Sequence, residues 1–322
     1  MTKIKTAIIG AAGYTGGELL RLLVHHPACE LAYVHSNSQK GKKVSDVHPD
    51  LIGDCDLIFT DKVEIEGIDA VFLGLPHGQT NHFLEQHSFP ESTVLIDLST
   101  DFRDESNGFV YGLPEVNSAK IKTAKKIANP GCFATGIQLG LLPAIAKGWV
   151  KDTVHTTGIT GSTGAGKKLA ETSHFSYRSS NTSVYKLFTH QHLKEIKQTF
   201  GQLNSSFDSE VLFVPYRGNF PRGIWVTSYF AYDGTAEDAI EAYKSFYKDA
   251  AFTHVSEQDI DLKQVVNTNK CIVHVQKVNG QLVVYSAIDN LLKGASGQAV
   301  QNYNLAFGLE ERMGLNLKSI AF

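Results

Sequence analysis

Up to about residue 147 the chain alternates short apolar runs with stretches of helical period. Lys3-Ile4-Lys5-Thr6-Ala7-Ile8-Ile9 reads as a buried strand. Leu19, Leu20, Leu22 and Leu23 then form the apolar stripe of a helix that His25-His26-Pro27 ends. Leu31-Ala32-Tyr33-Val34-His35, Asp69-Ala70-Val71-Phe72-Leu73-Gly74-Leu75 and Thr93-Val94-Leu95-Ile96-Asp97-Leu98-Ser99 read as further strands, and Lys126-Ile127-Ala128 as a short one. Ile137, Leu139, Leu141, Leu142 and Ile145 mark another helix. Continuous apolar runs separated by helical stretches predict an α/β Rossmann domain with a doubly wound, mostly parallel sheet.

Beyond this point the apolar runs lengthen and alternate, at 153–159, 211–214, 224–232, 270–278 and 281–288. Helical stretches become fewer, about 190–200 and 236–248. That pattern predicts an α+β domain on a mixed or antiparallel sheet. The stretch from Asp289 opens a closing helix whose small and apolar positions are expected to pack back on the first domain. The expected division is residues 1–130 plus about 296–322 for the dinucleotide-binding domain, and 131–295 for the second.

Composition narrows the function classes. A chain of 322 residues is long enough for two cores. Its net charge of -3, from 30 basic and 33 acidic residues, gives no general attraction to nucleic acid or anionic membrane. Cys29, Cys55, Cys132 and Cys271 show neither CxxC nor zinc-type spacing, so no disulfide framework and no metal site is expected. Free thiols suit a reducing cytosol, and a cytoplasmic location is expected. The N-terminus opens on charged residues and enters a strand, so no signal peptide is expected. No apolar run reaches the roughly eighteen residues of a membrane span.

The first strand runs directly into Gly10-Ala11-Ala12-Gly13-Tyr14-Thr15-Gly16 and then a helix. A strand, a glycine-rich turn and a helix N-terminus form the setting that dinucleotide pyrophosphate needs. The spacing is GxxGxxG, a variant of the usual fingerprint. The second strand ends on Ser36-Asn37-Ser38-Gln39-Lys40, without the acidic residue that takes ribose hydroxyls in NAD enzymes. Hydroxyls and lysines there favour NADP, with Ser36 and Ser38 as contacts. Pro76 and His77 end the next strand at the edge where cofactors sit.

The turn Asn129-Pro130-Gly131-Cys132 places a thiol in the first turn of a helix. Unpaired amides and the helix dipole favour its thiolate, the nucleophilic form. Placement alone leaves open a buried cysteine acting as a small hydrophobe. His190-Gln191-His192 opens a later helical stretch and offers an acid–base partner distant in sequence, the usual arrangement for a Cys–His pair. Arg103, Arg217 and Arg222 lie at strand ends and in loops, where guanidinium groups grip carboxylate or phosphate, and Asn129 joins them as a substrate candidate. The small-residue loop 160–167, through Ser162 and Gly164, and Asn290 near the chain's end are further cofactor candidates.

Together these motifs, in this order over nearly the whole chain, resemble the N-acetyl-gamma-glutamyl-phosphate reductase family, related to aspartate-semialdehyde dehydrogenase. The resemblance is carried by residues 10–16, Leu75-Pro76-His77-Gly78, residues 97–103, Tyr111-Gly112-Leu113-Pro114-Glu115, Asn129-Pro130-Gly131-Cys132, the 161–166 loop, His190-Gln191-His192 and residues 289–302. It implies reduction of an N-acetyl-glutamyl phosphate to the semialdehyde by NADPH, in arginine biosynthesis. Cys132 would be the nucleophile and one of His190 and His192 the acid–base group, with His192 first. Gly10, Gly13 and Gly16 would hold NADP. Related enzymes form dimers or tetramers, so a homodimer or homotetramer is expected. Alternatives are the same chemistry on N-succinyl-glutamyl or aspartyl phosphate and, remotely, a nonenzymatic NADP-binding regulator. Asn37 stands where the family commonly has arginine, leaving the 2′-phosphate to Ser36, Ser38 or a lysine. Gln191 likewise stands where the family often has arginine, and an anion contact is expected to move to Arg217 or Arg222.

Overall fold

The structure, a computed structural model, describes residues 3–320. The chain forms two compact units, one running to Pro130 and taking up Ala295–Asn316, the other built from Gly131–Gly294 and the described residues from Leu317.

The first unit is a seven-stranded parallel sheet of β1 (Ile4–Ile9), β2 (Cys29–His35), β3 (Phe59–Thr60), β4 (Ala70–Leu73), β5 (Val94–Asp97), β6 (Val110–Tyr111) and β7 (Lys126–Ala128), in the order β3-β2-β1-β4-β5-β7-β6. Helices α1 (Tyr14–Leu23), α2 (Thr80–Gln86) and α3 (Pro114–Ile121) supply crossovers. Ala7, Ile8 and Ile9 on β1 and all four residues of β4 are buried, as continuous apolar strands in a sheet covered on both faces must be. The strand order reverses between β1 and β4, and the turns after both strands meet there. A Cβ on Gly10, at φ 78°, would lie 2.5 Å from the Gly74 carbonyl oxygen.

The closing helix Gly297–Ala306 packs into this unit along α1, α3 and β5. It starts later than the sequence suggests, because residues Leu292–Ser296 form a π-helical turn first. Its buried polar side chains are tied down: Asn302 Nδ2 donates to Gly112 O (2.9 Å) and Asn129 Oδ1 (3.1 Å), and Asn304 Oδ1 meets His26 Nε2 at 3.0 Å.

The second unit holds a mixed sheet of β8 (Val154–Thr160), β9 (Ser183–Val184), β10 (Val211–Arg217), β11 (Ile224–Ala231), β12 (Thr253–Ser256), β13 (Cys271–Val278) and β14 (Gln281–Ile288), in the order β12-β13-β14-β11-β8-β10-β9. Strands β13 and β14 pair antiparallel through Asn279-Gly280, both at positive φ, as a tight primed hairpin turn requires. Helices α4 (Cys132–Ala146), α5 (His192–Leu203) and α6 (Ala236–Tyr247) cover one face.

Helix α4 is almost wholly buried, and Pro143 within it removes the amide that would bond the Leu139 carbonyl. Tyr247 OH donates to that carbonyl at 2.5 Å, and Tyr243 OH to the neighbouring Gly140 carbonyl at 2.8 Å. Ser286 Oγ on β14 donates to Gly136 O (2.7 Å), one turn earlier in the helix. Side chains from α6 and the sheet thus hold α4, and with it Cys132, in place.

Candidate active site

Cys132 opens α4 directly after the N-cap Gly131, which offers no side-chain cap. Two amides at this helix end find side-chain partners on α5. Gly131 N–H donates to Glu195 Oε2 at 3.0 Å and Ala134 N–H to His192 Nδ1 at 3.3 Å. Because His192 Nδ1 accepts, a neutral ring carries its proton on Nε2, which faces Glu195 Oε1 at 3.9 Å. Glu195 and His192 are both buried. Glu195 follows His192 by three residues on a helix, so both lie on one face; that spacing was the available sequence signal for it.

His190 plays a different part. Its Nδ1 accepts the His192 amide at 3.3 Å, and its ring sits edge-on to those of His192, Phe133, Phe213 and Tyr185. Burial, helped by the Lys186 charge, lowers its pKa to about 4, so it stays neutral near pH 7. Tyr185 completes the aromatic wall. Burial raises its hydroxyl to about 12, with the Cys132 charge adding and Arg217 opposing. The Arg217 guanidinium lies over the Tyr185 ring, 4.8 Å from its centre. Arg217 Nε is buried without a hydrogen-bond partner among the described residues. Arg178, fully engaged with Thr172 O, Asn181 O, Ser183 Oγ and Arg217 O, ties the preceding excursion to β10.

The other expected residues divide between the units. Arg222 makes a two-pronged ion pair with the buried Asp289 carboxylate, 3.0 and 3.1 Å. Asn290 Oδ1 accepts Gly223 N–H (2.7 Å) and its Nδ2 donates to Thr163 Oγ1 (3.0 Å). Ser162 and Gly164 lie in a short 3-10 turn beside them. In the first unit, Arg103 is buried and donates to the main-chain carbonyls of Asn129 and Leu98. The Asn129 amide is committed to Ala295 O and Asn302.

The first unit's glycine turn fits a dinucleotide. Gly13 caps α1 with no side-chain bond, and a Cβ there would meet nothing within 4 Å, so its glycine does not serve packing. A Cβ on Gly16 would strike the Ala11 backbone at 2.5 Å, so that glycine sets the turn itself. Tyr14 and Thr15 form the first turn of α1. Beyond β2, Ser36 Oγ and Ser38 Oγ lie 3.4 Å apart. The acidic group nearby comes from the turn after β3: Asp61, whose carboxylate is paired with Lys40 at 2.6 Å and held below its ordinary pKa by that contact. Pro76 and His77 are exposed after β4. Among the described residues no cluster of His, Cys, Asp and Glu is arranged to hold a metal, and no helix is long and apolar enough to cross a membrane.

Comparison with known proteins follows the same division. A semialdehyde dehydrogenase NAD-binding domain matches residues 5–124, and a semialdehyde dehydrogenase dimerisation domain matches residues 132–290. A protein of Christiangramia forsetii named N-acetyl-gamma-glutamyl-phosphate reductase is 55% identical over 318 residues, 98% of this chain and 99% of its own. The chain belongs to the N-acetyl-gamma-glutamyl-phosphate reductase family. A Bacteroides fragilis reductase of that name is 53% identical over 99% of this chain and 100% of its own. Among solved structures, aspartate semialdehyde dehydrogenase II of Vibrio cholerae shares the fold at a TM-score of 0.75 and 14% identity, covering 96% of this chain and 99% of its own. The Candida albicans aspartate semialdehyde dehydrogenase solved with NADP follows at 0.71 and 16%, covering 94% and 98%.

Proposed function

We propose that the chain reduces N-acetyl-gamma-glutamyl phosphate to N-acetyl-glutamate 5-semialdehyde with NADPH, releasing phosphate, as a cytoplasmic step of arginine biosynthesis. Family membership supplies the substrate class. The observation that carries the mechanism is the fastening of His192 to the helical turn that Cys132 opens.

Cys132 thiolate attacks the acyl carbon, the C–O bond to phosphate breaks, and a thioester forms on sulfur. Gly10, Gly13, Tyr14, Thr15 and Gly16 would hold NADPH, with Ser36 and Ser38 at the 2′-phosphate, and the bound cofactor would supply the hydride that reduces the thioester carbon. His192, neutral with its proton on Nε2, shares that proton with the resulting oxyanion through a hydrogen bond. Collapse of the oxyanion breaks the C–S bond and frees the aldehyde and the thiolate. His190, neutral and walled by aromatics, serves as support. Arg217 is the best-placed substrate guanidinium of the second unit, since its Nε has no internal partner among the described residues.

Assembly is the remaining element of this reading. The uncovered face of the second sheet presents His155, Thr157, Ile159, Trp225, Tyr229 and Tyr285, and no Asp, Glu, Lys or Arg points outward from β8, β11, β13 or β14. An uncharged sheet face of this extent, inside a region matched by a dimerisation domain, supports a homodimer or homotetramer built on it.

The deciding assay follows phosphate-dependent oxidation of N-acetyl-glutamate semialdehyde with NADP. Cys132→Ala is expected to abolish turnover with NADPH affinity kept within a few-fold; retained turnover rejects the mechanism. N-succinyl-glutamate semialdehyde and aspartate semialdehyde in the same assay identify the acyl group, and NAD tests the cofactor.

A further inference from the structure

Three loops of the second unit are stitched together, and one of them lies against Cys132. Gly161 N–H donates to Gly223 O (2.8 Å) and Thr163 Oγ1 to Pro221 O (2.6 Å), joining the loop after β8 to the turn between β10 and β11. Asn290 bridges both through Gly223 N–H and Thr163 Oγ1. The third loop, 289–294, is organised by Asp289. Its carboxylate is fully buried and accepts five hydrogen bonds: Arg222 Nε (3.0 Å) and Nη2 (3.1 Å), and the amides of Asn267 (2.8 Å), Leu291 (2.8 Å) and Leu292 (3.1 Å). Its main-chain carbonyl accepts the Gly294 amide at 2.9 Å. This folds the loop so tightly that a Cβ on Gly294 would lie 2.9 Å from Cys132 Cβ.

We propose that Asp289 and Arg222 are a positioning pair for Cys132: they fix the 289–294 turn, and the turn fixes the place of the thiol. This rests on Cys132 being the nucleophile. A carboxylate removed from water must be fully paired, and here its partners are the Arg222 side chain, the Asn267 amide and two amides of the turn itself. Arg222 therefore acts through Asp289, not by gripping substrate.

The experiment compares wild-type, Asp289→Asn, Arg222→Lys, Gly294→Ala and the Asp289→Asn/Gly294→Ala double variant, as full-length enzyme in the oxidative assay. A misplacement of about 1 Å at a reacting group costs about 10²-fold. Asp289→Asn and Arg222→Lys are thus expected to lower kcat by about 10²-fold, with KM for semialdehyde and NADP moving by no more than about threefold. Adding Asp289→Asn to Gly294→Ala is expected to cost little more than Gly294→Ala alone, because both act on the same contact. Arg222→Lys retains a charge at the site and answers the question if Asp289→Asn does not fold. A KM for semialdehyde raised tenfold or more at unchanged kcat in Arg222→Lys overturns the proposal and makes Arg222 a substrate contact. So do fully multiplicative losses in the double variant. A Cys132→Ala enzyme that keeps its turnover instead defeats the nucleophile reading itself, whatever Asp289 does.

Discussion

Glu195 Oε2 accepts the amide of Gly131 at 3.0 Å while Oε1 faces His192 Nε2 at 3.9 Å, so one buried carboxylate serves both the cap of the Cys132 helix and the imidazole beside it. Glu195→Ala leaves the Gly131 amide buried and unpaired, at a cost of about 1–3 kcal/mol in unfolding free energy. Glu195→Gln keeps an acceptor for that amide, and its stability is expected near wild type. Both variants are expected to lose about 10- to 10²-fold in kcat, part of the ~10²–10⁴-fold that positioned acid–base groups contribute. Urea denaturation and steady-state kinetics separate the two effects; equal stability losses in both variants refute the capping role.

The depressed pKa of His190 has a pH signature. Folded His190 titrates at about 4, and an unfolded histidine near 6.5. Between these values the unfolded chain binds the extra proton, so stability rises with pH across that window and is lost on acidification. His190→Phe removes the titration. Its denaturation midpoint is expected to fall less than the wild-type midpoint between pH 6.5 and pH 4.5. Parallel curves would show that His190 is not the group responsible.

Tyr247 and Pro143 make a matched pair around the Leu139 carbonyl. Tyr247→Phe is expected to destabilise by about 1–3 kcal/mol, because that buried carbonyl then lacks a donor. Adding Pro143→Ala restores an amide at the right place in the helix, and the double variant is expected to recover part of the loss. Additive or worse losses in thermal denaturation would rule this out.

The three glycines of the first turn are not equivalent. Gly13 has open space where a Cβ would go and a φ of -82° that any residue adopts, so Gly13→Ala is expected to leave the melting temperature unchanged. With the pyrophosphate proposed to lie against this turn, NADPH affinity is expected to fall tenfold or more, about 1.4 kcal/mol. Gly16→Ala drives a Cβ to 2.5 Å from the Ala11 backbone and is expected to cost about 1–3 kcal/mol of stability first. Calorimetry with and without NADPH distinguishes the two.

The parallel sheet of the first unit and the place of Cys132 at a helix start were legible because local signals agree with the fold. Gly10 breaks β1, Pro130-Gly131 starts α4, and the apolar runs of β1, β4 and β5 are continuous. The short strand Thr253–Ser256 carried no such signal, having a histidine and a serine among its four residues. Cys132 and His192 were singled out by residue type, and folding brings the His192 ring onto the helical turn that Cys132 opens. Glu195 and Asp289 were not, because their roles come from amides and a guanidinium brought to them by folding, 64 residues away for Gly131 and 67 for Arg222. Arg222 and Asn129 illustrate the converse. Their side chains suit anions or polar ligands, yet internal partners occupy them, and no residue type announces that in advance.

The closeness of Gly294 to Cys132 and of Gly161 to the Pro221 carbonyl, 2.4 Å from an added Cβ, bears on how this scaffold changes its diet. Substitutions at either glycine push directly on Cys132 or on the loop that supports its neighbours. Variants selected to accept bulkier or differently charged acyl groups are therefore expected to leave both glycines untouched and to accumulate changes at Arg217 and Tyr185, where a guanidinium stacked on a ring can be exchanged without moving the backbone that holds the sulfur.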